Sequence, residues 1–250
     1  MTRPPRTLQF LRSIVFNFGM YLGTATIVIG ASPLLLAPSP VAQAVSRVWA
    51  RFCLGLLRLS CGLDHRVGGQ QHLPARRYMV AAKHQSTWET LSLVLIVPGA
   101  CFVLKRELLW IPFVGWFMAR AGHIGVDRAA GAGALRKLLR QAERAVARGR
   151  TLVIFPEGTR APIGTSLPYQ PGVAALYSQL KLPVMPVALN SGVFWGRRLF
   201  IKWPGTIACE FLAPIAPGLK RDVFMAQLRA RLDPNTDRLV AAAKTDWNIA

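Results

Sequence analysis

The chain has 250 residues, of which 52% are hydrophobic and only 17% are charged. A disordered chain shows the opposite balance, so this composition predicts one domain with a full core and a short appendage. Lysine and arginine number 31 against 11 acidic residues, a formal net charge of +20. Such an excess attracts polyanions: nucleic acid, an anionic membrane surface or phosphorylated substrates. The mean hydropathy of +0.32 is high for a freely soluble protein and favours contact with lipid.

A long apolar stretch without any charge separates Arg12 from Arg47. Within it, residues 13–32 predict a helix of roughly 30 Å, about the thickness of the hydrocarbon core of a bilayer. The prolines that follow should end this helix. Because Arg3, Arg6 and Arg12 precede it, its N-terminus is expected on the cytosolic side.

The next segment predicts a second helix, lying in the membrane interface. Arg47, Arg51 and Arg58 fall within about 40° of one another on a helical wheel. Apolar residues occupy the opposite side, with Leu54 as an exception: Val45, Trp49, Phe52, Leu56 and Leu59. This pattern is typical of interfacial helices. It favours a two-helix membrane anchor over residues 1–63, with both ends cytosolic and beside the anionic leaflet.

Two other interpretations of this segment stay open. One is a cleaved secretory signal, because Ala42-Gln43-Ala44 resembles a cleavage site. The other is an ordinary core helix with a solvated arginine face. A single span that leaves the rest of the chain outside is disfavoured by the arginine stripe.

From about residue 65, short apolar runs alternate with helical patterns. The runs predicted as strands are Tyr78–Ala82, Cys101–Leu104, His123–Val126, Thr151–Phe155, Val184–Leu189 and Ile207–Leu212. The predicted helices are Trp88–Ile96, Ala132–Arg148, Val173–Leu180 and Arg221–Leu232. This alternation predicts an α/β fold, a mixed and largely parallel sheet flanked by helices, in a domain of residues 64–250.

A histidine and a carboxylate stand at the junction of the first of these strands and the next helix. Glu89, five positions after His84, can accept the Nδ1 proton and leave Nε2 as a base for a substrate hydroxyl. The spacing from Ser86 to Glu89 fits a capping box equally well, in which Glu89 only satisfies a free N–H group. Ser86 is a weaker candidate for a covalent nucleophile, since no G-x-S-x-G elbow surrounds it.

A second cluster, Phe155-Pro156-Glu157-Gly158-Thr159-Arg160, follows a predicted buried strand. Ligands of α/β sheets bind beyond the carboxyl ends of the strands. Gly158 permits a sharp turn there, and Arg160 offers a planar fork suited to a phosphate. A strand-ending loop with a local ion pair between Glu157 and Arg160 is the simpler alternative.

A third cluster begins with Lys105 and Arg106, which follow another strand and can hold a dianion. The almost wholly apolar run at 108–118 comes next, and Val126-Asp127-Arg128 closes the region. The apolar run predicts either a slot for an alkyl chain or plain core.

The other histidines and the cysteines carry no such pattern. His65, His72 and His123 have no partner spacing and are interpreted as surface or packing residues. The four cysteines are scattered, without a CxxC pair or metal-ligand spacing: Cys53, Cys61, Cys101 and Cys209. We therefore expect no disulfide framework and no metal, in a reducing cytosolic setting.

In this order, the clusters resemble the motifs of the glycerolipid acyltransferase family, and in particular its bacterial 1-acylglycerol-3-phosphate acyltransferases. The family's H-x4-D motif is similar to residues 84–89, and its K-x-E-L…P…G…D-R region to residues 105–128. Its F-P-E-G-T-R motif is identical at 155–160, and its V-x-P-V-like strand is similar to 184–187. The resemblance covers about residues 75–215, and four ordered motifs are far more specific than any one.

The resemblance implies a membrane-associated enzyme on the cytoplasmic face of the inner (plasma) membrane. The implied reaction moves a fatty acyl group from acyl-CoA or acyl carrier protein to the sn-2 hydroxyl of 1-acyl-sn-glycerol-3-phosphate, giving phosphatidic acid without a bound cofactor. Another lyso-lipid acceptor is the alternative. The implied site residues are His84 and Glu89 for catalysis, Lys105, Arg106 and Arg160 for the phosphate, and Glu157, Gly158 and Thr159 for substrate or loop contacts.

Two departures from the family pattern bear on the site. Glu89 replaces the commoner aspartate and should still orient His84. Gln170-Pro171 stands before Gly172, where many members carry a lysine, so phosphate binding falls more to Arg160 and Lys105.

Other classes explain the sequence less well. A nucleic-acid-binding protein would account for the charge, but no helix-turn-helix, zinc or RNP pattern is present. A non-catalytic membrane scaffold would need neither the histidine nor the carboxylate.

Overall fold

The computed structural model describes residues 3–75, 77–127 and 131–247. These residues form a seven-stranded sheet in the order β1-β7-β6-β2-β5-β3-β4. The strands are β1 (Leu63–Gly68), β2 (Met79–Ala82), β3 (Ala100–Lys105), β4 (Ile124–Val126), β5 (Thr151–Ile154), β6 (Val184–Leu189) and β7 (Gly205–Phe211). The five strands from β6 to β4 are mutually parallel, β7 is antiparallel to β6, and β1 is parallel to β7. The predicted mixed, largely parallel α/β sheet is confirmed.

The central strands are buried on both faces. In β2, Met79 and Ala81 join the hydrophobic cluster on one side of the sheet, and Val80 and Ala82 join that on the other. Because successive side chains of a strand point to opposite faces, continuous apolar runs mark strands covered on both sides. This is why the sequence pattern located these strands to within two residues.

One strand was missed by the sequence prediction. β1 carries Asp64, His65 and Arg66 and lies at the edge of the sheet, paired only with β7. An edge strand tolerates polar and charged side chains because one of its sides faces solvent. The polar composition therefore hid the strand.

Helices cover both faces of the sheet. On one face lie α2 (Ser39–Cys61) and α3 (Trp88–Ile96), with α1 (Arg6–Gly30) packed outside α2. The other face carries α5 (Gly131–Ala147), α6 (Pro171–Leu180) and α8 (Arg221–Asp246). The shorter α4 (Val114–Arg120) and α7 (Ser191–Phe194) follow β3 and β6, and short 3-10 helices span Ser32–Leu36, Gln70–His72 and Arg106–Trp110.

The last helix is longer than the sequence predicted. α8 does not end at Leu232 but continues through Pro234 to Asp246. A proline inside a helix costs about 3 kcal/mol. The buried side chains Thr236, Leu239 and Val240 continue the packed face beyond it, and their burial offsets that cost.

The two N-terminal helices pack together and against the domain. α1 begins at Arg6, earlier than predicted, and ends at Gly30. Leu54, the exception to the predicted apolar stripe, is buried with Cys53 and Leu57 in the core beside the sheet. The core-helix interpretation therefore describes the inner face of α2. Of the predicted arginine face, Arg51 and Arg58 are exposed and Arg47 is half-buried.

A polar stripe fixes the first half of α1 to the domain. Gln9 Nε2 donates to the carbonyl oxygens of Cys61 and Lys202, and Lys202 N–H donates to Ser13 Oγ at 3.0 Å. One turn further on, Lys202 Nζ donates to Asn17 Oδ1 at 2.8 Å. The i, i+4, i+8 spacing places Gln9, Ser13 and Asn17 on one face of the helix.

The opposite face of α1 is apolar and exposed along its length: Leu8, Phe10, Leu11, Ile14, Val15, Phe18, Tyr21, Leu22 and Ile29. By length and composition α1 is long and apolar enough to cross a membrane, and only 17% of its most apolar window is buried. Large exposed apolar patches mark contact surfaces for protein or lipid. This outer face is therefore the surface that the anchor hypothesis requires.

Candidate active site

The candidate site forms where parallel strands end. His84 follows β2, the segment 155–160 follows β5, Lys105 ends β3, and Ser191 follows β6. These strands are neighbours in the sheet, so their carboxyl ends meet at one edge. The fold thus gathers the three clusters that the sequence left far apart.

His84 and Glu89 form the predicted pair. His84 Nδ1 donates to Glu89 Oε1 at 2.9 Å, with the Glu89 side chain fully buried and that of His84 12% exposed. A carboxylate bonded to Nδ1 fixes the tautomer in which Nε2 carries no proton. Nε2 is then the nitrogen available as a base.

The capping interpretation also holds for the same carboxylate. Glu89 Oε1 accepts the N–H groups of Gln85 and Ser86, each at 2.6 Å, and Oε2 accepts the Ser191 hydroxyl at 2.8 Å. The two interpretations are therefore compatible, because one side chain caps α3 and holds the imidazole. Ser86 is buried, and its hydroxyl accepts the N–H of Trp88 at 3.1 Å. It does not line the cavity described below.

The loop after β5 clamps His84 from three directions. Glu157 Oε2 accepts the His84 N–H at 3.0 Å, and the N–H of Ala161 donates to the His84 carbonyl at 2.8 Å. The ring of Phe155 stacks on the imidazole with 4.0 Å between centroids and 14° between planes. Gly158 makes the turn at φ 67°, a conformation that favours glycine. This loop thus sets the position of the histidine backbone and ring.

Behind the histidine lies a buried ionic cluster that the sequence did not reveal. Lys83 Nζ lies 2.5 Å from Glu157 Oε1 and 3.1 Å from Asp233 Oδ1 of α8. Tyr169 donates its hydroxyl to the same Asp233 oxygen at 2.6 Å. Burial raises the pKa of Glu157, against the opposing effect of the lysine charge. The predicted local pair of Glu157 with Arg160 is replaced by this pair with Lys83.

A cavity of about 1040 Å³ adjoins His84. Its walls include Phe102, Leu108 and Phe117 from the domain, and Val28 and Trp49 from the two N-terminal helices. This volume and apolar lining suit a large lipophilic ligand. Both N-terminal helices therefore form part of the cavity wall.

The predicted phosphate ligands differ in their placement. Arg160 and Lys105 line the cavity, and Lys105 Nζ also pairs with Glu107 at 3.1 Å. Arg106 is not in the cavity wall and pairs with Asp127 at 3.2 Å. Arg128, which the third motif contains, lies outside the described residues.

The loop residues of the F-P-E-G-T-R motif divide between two environments. Gly158 and Thr159 line the cavity, whereas Glu157 is buried behind His84. Burial lowers the pKa of Arg160, which the charge of Glu89 opposes. Gln170, which stands shortly before Gly172, also lines the cavity.

The apolar run at 108–118 is neither wholly core nor wholly slot. Leu108, Phe117 and Met118 line the cavity, whereas Trp110 and Trp116 are 63% and 48% exposed. Both interpretations of the run therefore describe part of it.

The remaining histidines are packing or surface residues, as predicted. His123 packs in the cavity wall with Nδ1 accepting the Phe102 N–H at 3.2 Å, and burial lowers its pKa to about 4. His65 packs against Trp88, and His72 is exposed. All four cysteines are free and buried.

Sequence reasoning also missed Ser191, Arg197 and Arg198. Ser191 bonds Glu89, and both arginines line the cavity. The signal was available, because all three follow a predicted buried strand, as the recognised clusters do.

Three comparisons bear on this site. Residues 64–190 match a family model described as Acyltransferase. The 1-acyl-sn-glycerol-3-phosphate acyltransferase of Pseudomonas aeruginosa is 36% identical over 205 residues, covering 80% of this chain and 79% of that protein. The enzyme of the same name from Saccharomyces cerevisiae is 33% identical over 190 residues, covering 74% of this chain and 62% of its own.

A solved structure shares the fold. The 1-acyl-sn-glycerophosphate (LPA) acyltransferase PlsC from Thermotoga maritima superposes with a TM-score of 0.72 at 20% identity, covering 92% of this chain and 97% of that one. The α/β fold with its site at the strand ends, together with the matched family model, defines an acyltransferase. The chain belongs to the family of 1-acyl-sn-glycerol-3-phosphate acyltransferases.

Proposed function

We propose that the protein transfers a fatty acyl group to the sn-2 hydroxyl of 1-acyl-sn-glycerol-3-phosphate, giving phosphatidic acid. The observation that carries this proposal is the bond between His84 Nδ1 and the buried Glu89, beside an apolar cavity with Arg160 in its wall. The family relationship supports the same reaction. His84 as the base, the apolar cavity for a fatty chain and Arg160 as a cation for the phosphate lie close together.

In the proposed mechanism, His84 Nε2 removes the proton from the sn-2 hydroxyl as its oxygen attacks the thioester carbonyl. The tetrahedral intermediate expels the thiolate, which takes the proton from the imidazolium. One ester bond forms, one thioester bond breaks, and no acyl-enzyme is needed. A positioned base typically contributes 10²–10⁴-fold to such a rate.

Glu89 is proposed to act through His84. Its carboxylate fixes the imidazole tautomer and stabilises the imidazolium formed during transfer. The Glu89 side chain is fully buried and is held by hydrogen bonds from Gln85, Ser86 and Ser191. Its position should therefore change little between the neutral imidazole and the imidazolium of His84. Glu157 is proposed to support the loop rather than to bind substrate, because it is buried between Lys83 and the His84 backbone.

Arg160 and Lys105 are proposed to bind the acceptor phosphate, with Gly158 and Thr159 as contacts in the same wall. Guanidinium groups bind phosphate through paired hydrogen bonds, and such orientation of two substrates is worth roughly 7–11 kcal/mol of barrier. Arg106 is proposed to contribute positive charge beside the cavity, since its guanidinium is paired with Asp127.

The bilayer is proposed as part of the working enzyme. Residues 1–63 would anchor the 64–250 domain at the cytoplasmic face of the membrane, with the apolar face of α1 in lipid. Exposing an acyl chain to water costs about 0.8 kcal/mol per CH₂ group. A cavity walled by α1 and α2 avoids that cost, because the acceptor can enter from the membrane. The donor is proposed to be acyl-CoA or acyl carrier protein, both acidic partners for a strongly basic chain.

The test is an assay of the purified protein in mixed micelles with labelled 1-acyl-sn-glycerol-3-phosphate. Acyl-CoA and acyl carrier protein are offered separately, and products are separated by thin-layer chromatography. Labelled phosphatidic acid is the expected product. Lysophosphatidylcholine and lysophosphatidylethanolamine serve as parallel acceptors, and acylation of one of these in preference to lysophosphatidate would contradict the proposal.

A further inference from the structure

Three arginines line the same cavity as His84: Arg160, Arg197 and Arg198. Arg197 Nη1 donates to the backbone carbonyl of Arg160 at 3.1 Å, which ties the two segments together. Burial is the main cause that lowers the pKa of Arg160, and the positive charge of Arg197 lowers it further. Like charges are therefore held near each other at one wall of the cavity.

No carboxylate neutralises this cluster through an ion pair in the part of the chain that the structure describes. The negative charge of Glu89 raises the pKa of Arg160. The carboxylate oxygens of Glu89, however, already accept hydrogen bonds from His84, from two backbone N–H groups and from Ser191. Grouped cations without a paired acid form an anion-binding surface.

The segment that carries Arg197 and Arg198 is tied to the candidate catalytic pair. Ser191, at the start of this segment, bonds Glu89, and the N–H of Gly192 donates to Gln85 Oε1 at 3.0 Å. Arg198 itself has φ 59°, in the left-handed region that favours glycine. A non-glycine residue in this region is strained and persists where surrounding contacts impose it, often at binding sites.

We propose that Arg197 and Arg198 join Arg160 in binding the phosphate dianion of the acceptor. This inference deepens the proposed function and rests on it. The link from Arg197 to the Arg160 carbonyl favours one shared phosphate site over a separate site for the donor. Paired guanidinium forks suit the three terminal oxygens of a phosphate monoester.

The experiment measures how much the phosphate group contributes to inhibitor binding in each variant. The probes are two competitive inhibitors that lack the sn-2 hydroxyl: 1-acyl-2-deoxyglycerol 3-phosphate and its phosphate-free counterpart. Arg197→Ala and Arg198→Ala should each raise the KM for lysophosphatidate and the Ki of the phosphorylated inhibitor by about tenfold. The Ki of the phosphate-free inhibitor and the donor KM should stay unchanged.

Two further variants sharpen the comparison. Arg197→Lys should give an intermediate Ki, because lysine keeps the charge but loses the fork. Arg66→Ala removes an exposed arginine from the edge strand, outside the cavity wall, and should leave both Ki values unchanged.

The other outcomes overturn the inference. An equal rise in the Ki of both inhibitors would indicate a merely structural or membrane-binding role. A rise in the donor KM alone would assign the two arginines to donor binding. Unchanged constants for both alanine variants would remove them from the site. Failure of the proposed function is distinguishable, because the wild-type protein would then form no phosphatidic acid.

Discussion

At the scale of single residues, Glu89 serves two purposes with one carboxylate. Its Oε1 atom accepts from His84 Nδ1 and from two N–H groups before α3, and Oε2 accepts from Ser191. Sequence spacing predicted both the dyad and the cap but presented them as alternatives. Spacing along a helix cannot show that two donors converge on one oxygen, because this depends on how the chain turns after β2.

Substitutions at Glu89 should separate charge from shape. Glu89→Gln keeps the size but removes the negative charge that stabilises the imidazolium, so kcat should fall by about 10²-fold or more. Glu89→Asp keeps the charge and should retain clearly more activity than Glu89→Gln.

The measurement is kcat for phosphatidic acid formation together with the free energy of unfolding. Loss of an N-cap contact costs about 1 kcal/mol, so stability alone reports the capping role. A Glu89→Gln enzyme that is fully active would restrict Glu89 to capping, because the glutamine amide oxygen can still accept the same N–H groups.

At the scale of elements, the buried cluster of Lys83, Glu157 and Asp233 connects the ends of β2 and β5 to α8. One carboxylate of this cluster accepts the His84 N–H, so the C-terminal helix supports the site from behind. Lys83 is buried between the buried Glu157 and the half-buried Asp233, and it is the one cation that pairs with both acids. Loss of the lysine should therefore cost the most stability.

Lys83→Met should lower the free energy of unfolding by about 3–5 kcal/mol, because it leaves Glu157 with a buried, unpaired charge. Asp233→Asn is the matched comparison and should cost much less, since Lys83 and Glu157 then remain as a neutral pair. Denaturant unfolding in detergent micelles measures both. Equal stability of the Lys83→Met variant and the wild type would contradict the role given to this cluster.

The elements show why some parts of the site could be predicted from the sequence and others could not. β2, β5 and β6 are buried on both faces, so their apolar runs and the chemical clusters that follow them were visible. β1 was hidden by its polar edge position, and the second half of α8 by Pro234. Lys83 and Asp233 are 150 residues apart in the chain, and nothing in local spacing links them.

At the scale of the whole molecule, α1 is the element that we propose to connect the enzyme to lipid. Its polar face is bonded to the domain through Gln9, Ser13 and Asn17, and its apolar face is exposed. A helix fastened along one side presents its other side as a surface. We propose that this surface lies in the membrane and sets the cavity at the lipid boundary.

The double variant Phe18→Glu, Leu22→Glu should test this surface. Both side chains are exposed, at 68% and 55%, so folding should tolerate the change. Flotation with anionic vesicles should show binding weakened by at least about tenfold, since charged side chains enter lipid at a cost of a few kcal/mol. Activity in detergent micelles should persist.

The control is Val223→Glu, which places one charge at an exposed apolar position of α8. It should bind vesicles like the wild type. Undiminished vesicle binding of the α1 double variant would show that this face is not the membrane surface.

The central claim is that His84 acts as the base. The most direct measurement is kcat for phosphatidic acid formation by His84→Ala at saturating donor and acceptor, beside His72→Ala as an exposed control histidine. The account predicts a fall of at least about 10³-fold for His84→Ala, with the Ki of 1-acyl-2-deoxyglycerol 3-phosphate retained and His72→Ala unchanged. Turnover of His84→Ala near the wild-type rate would contradict it.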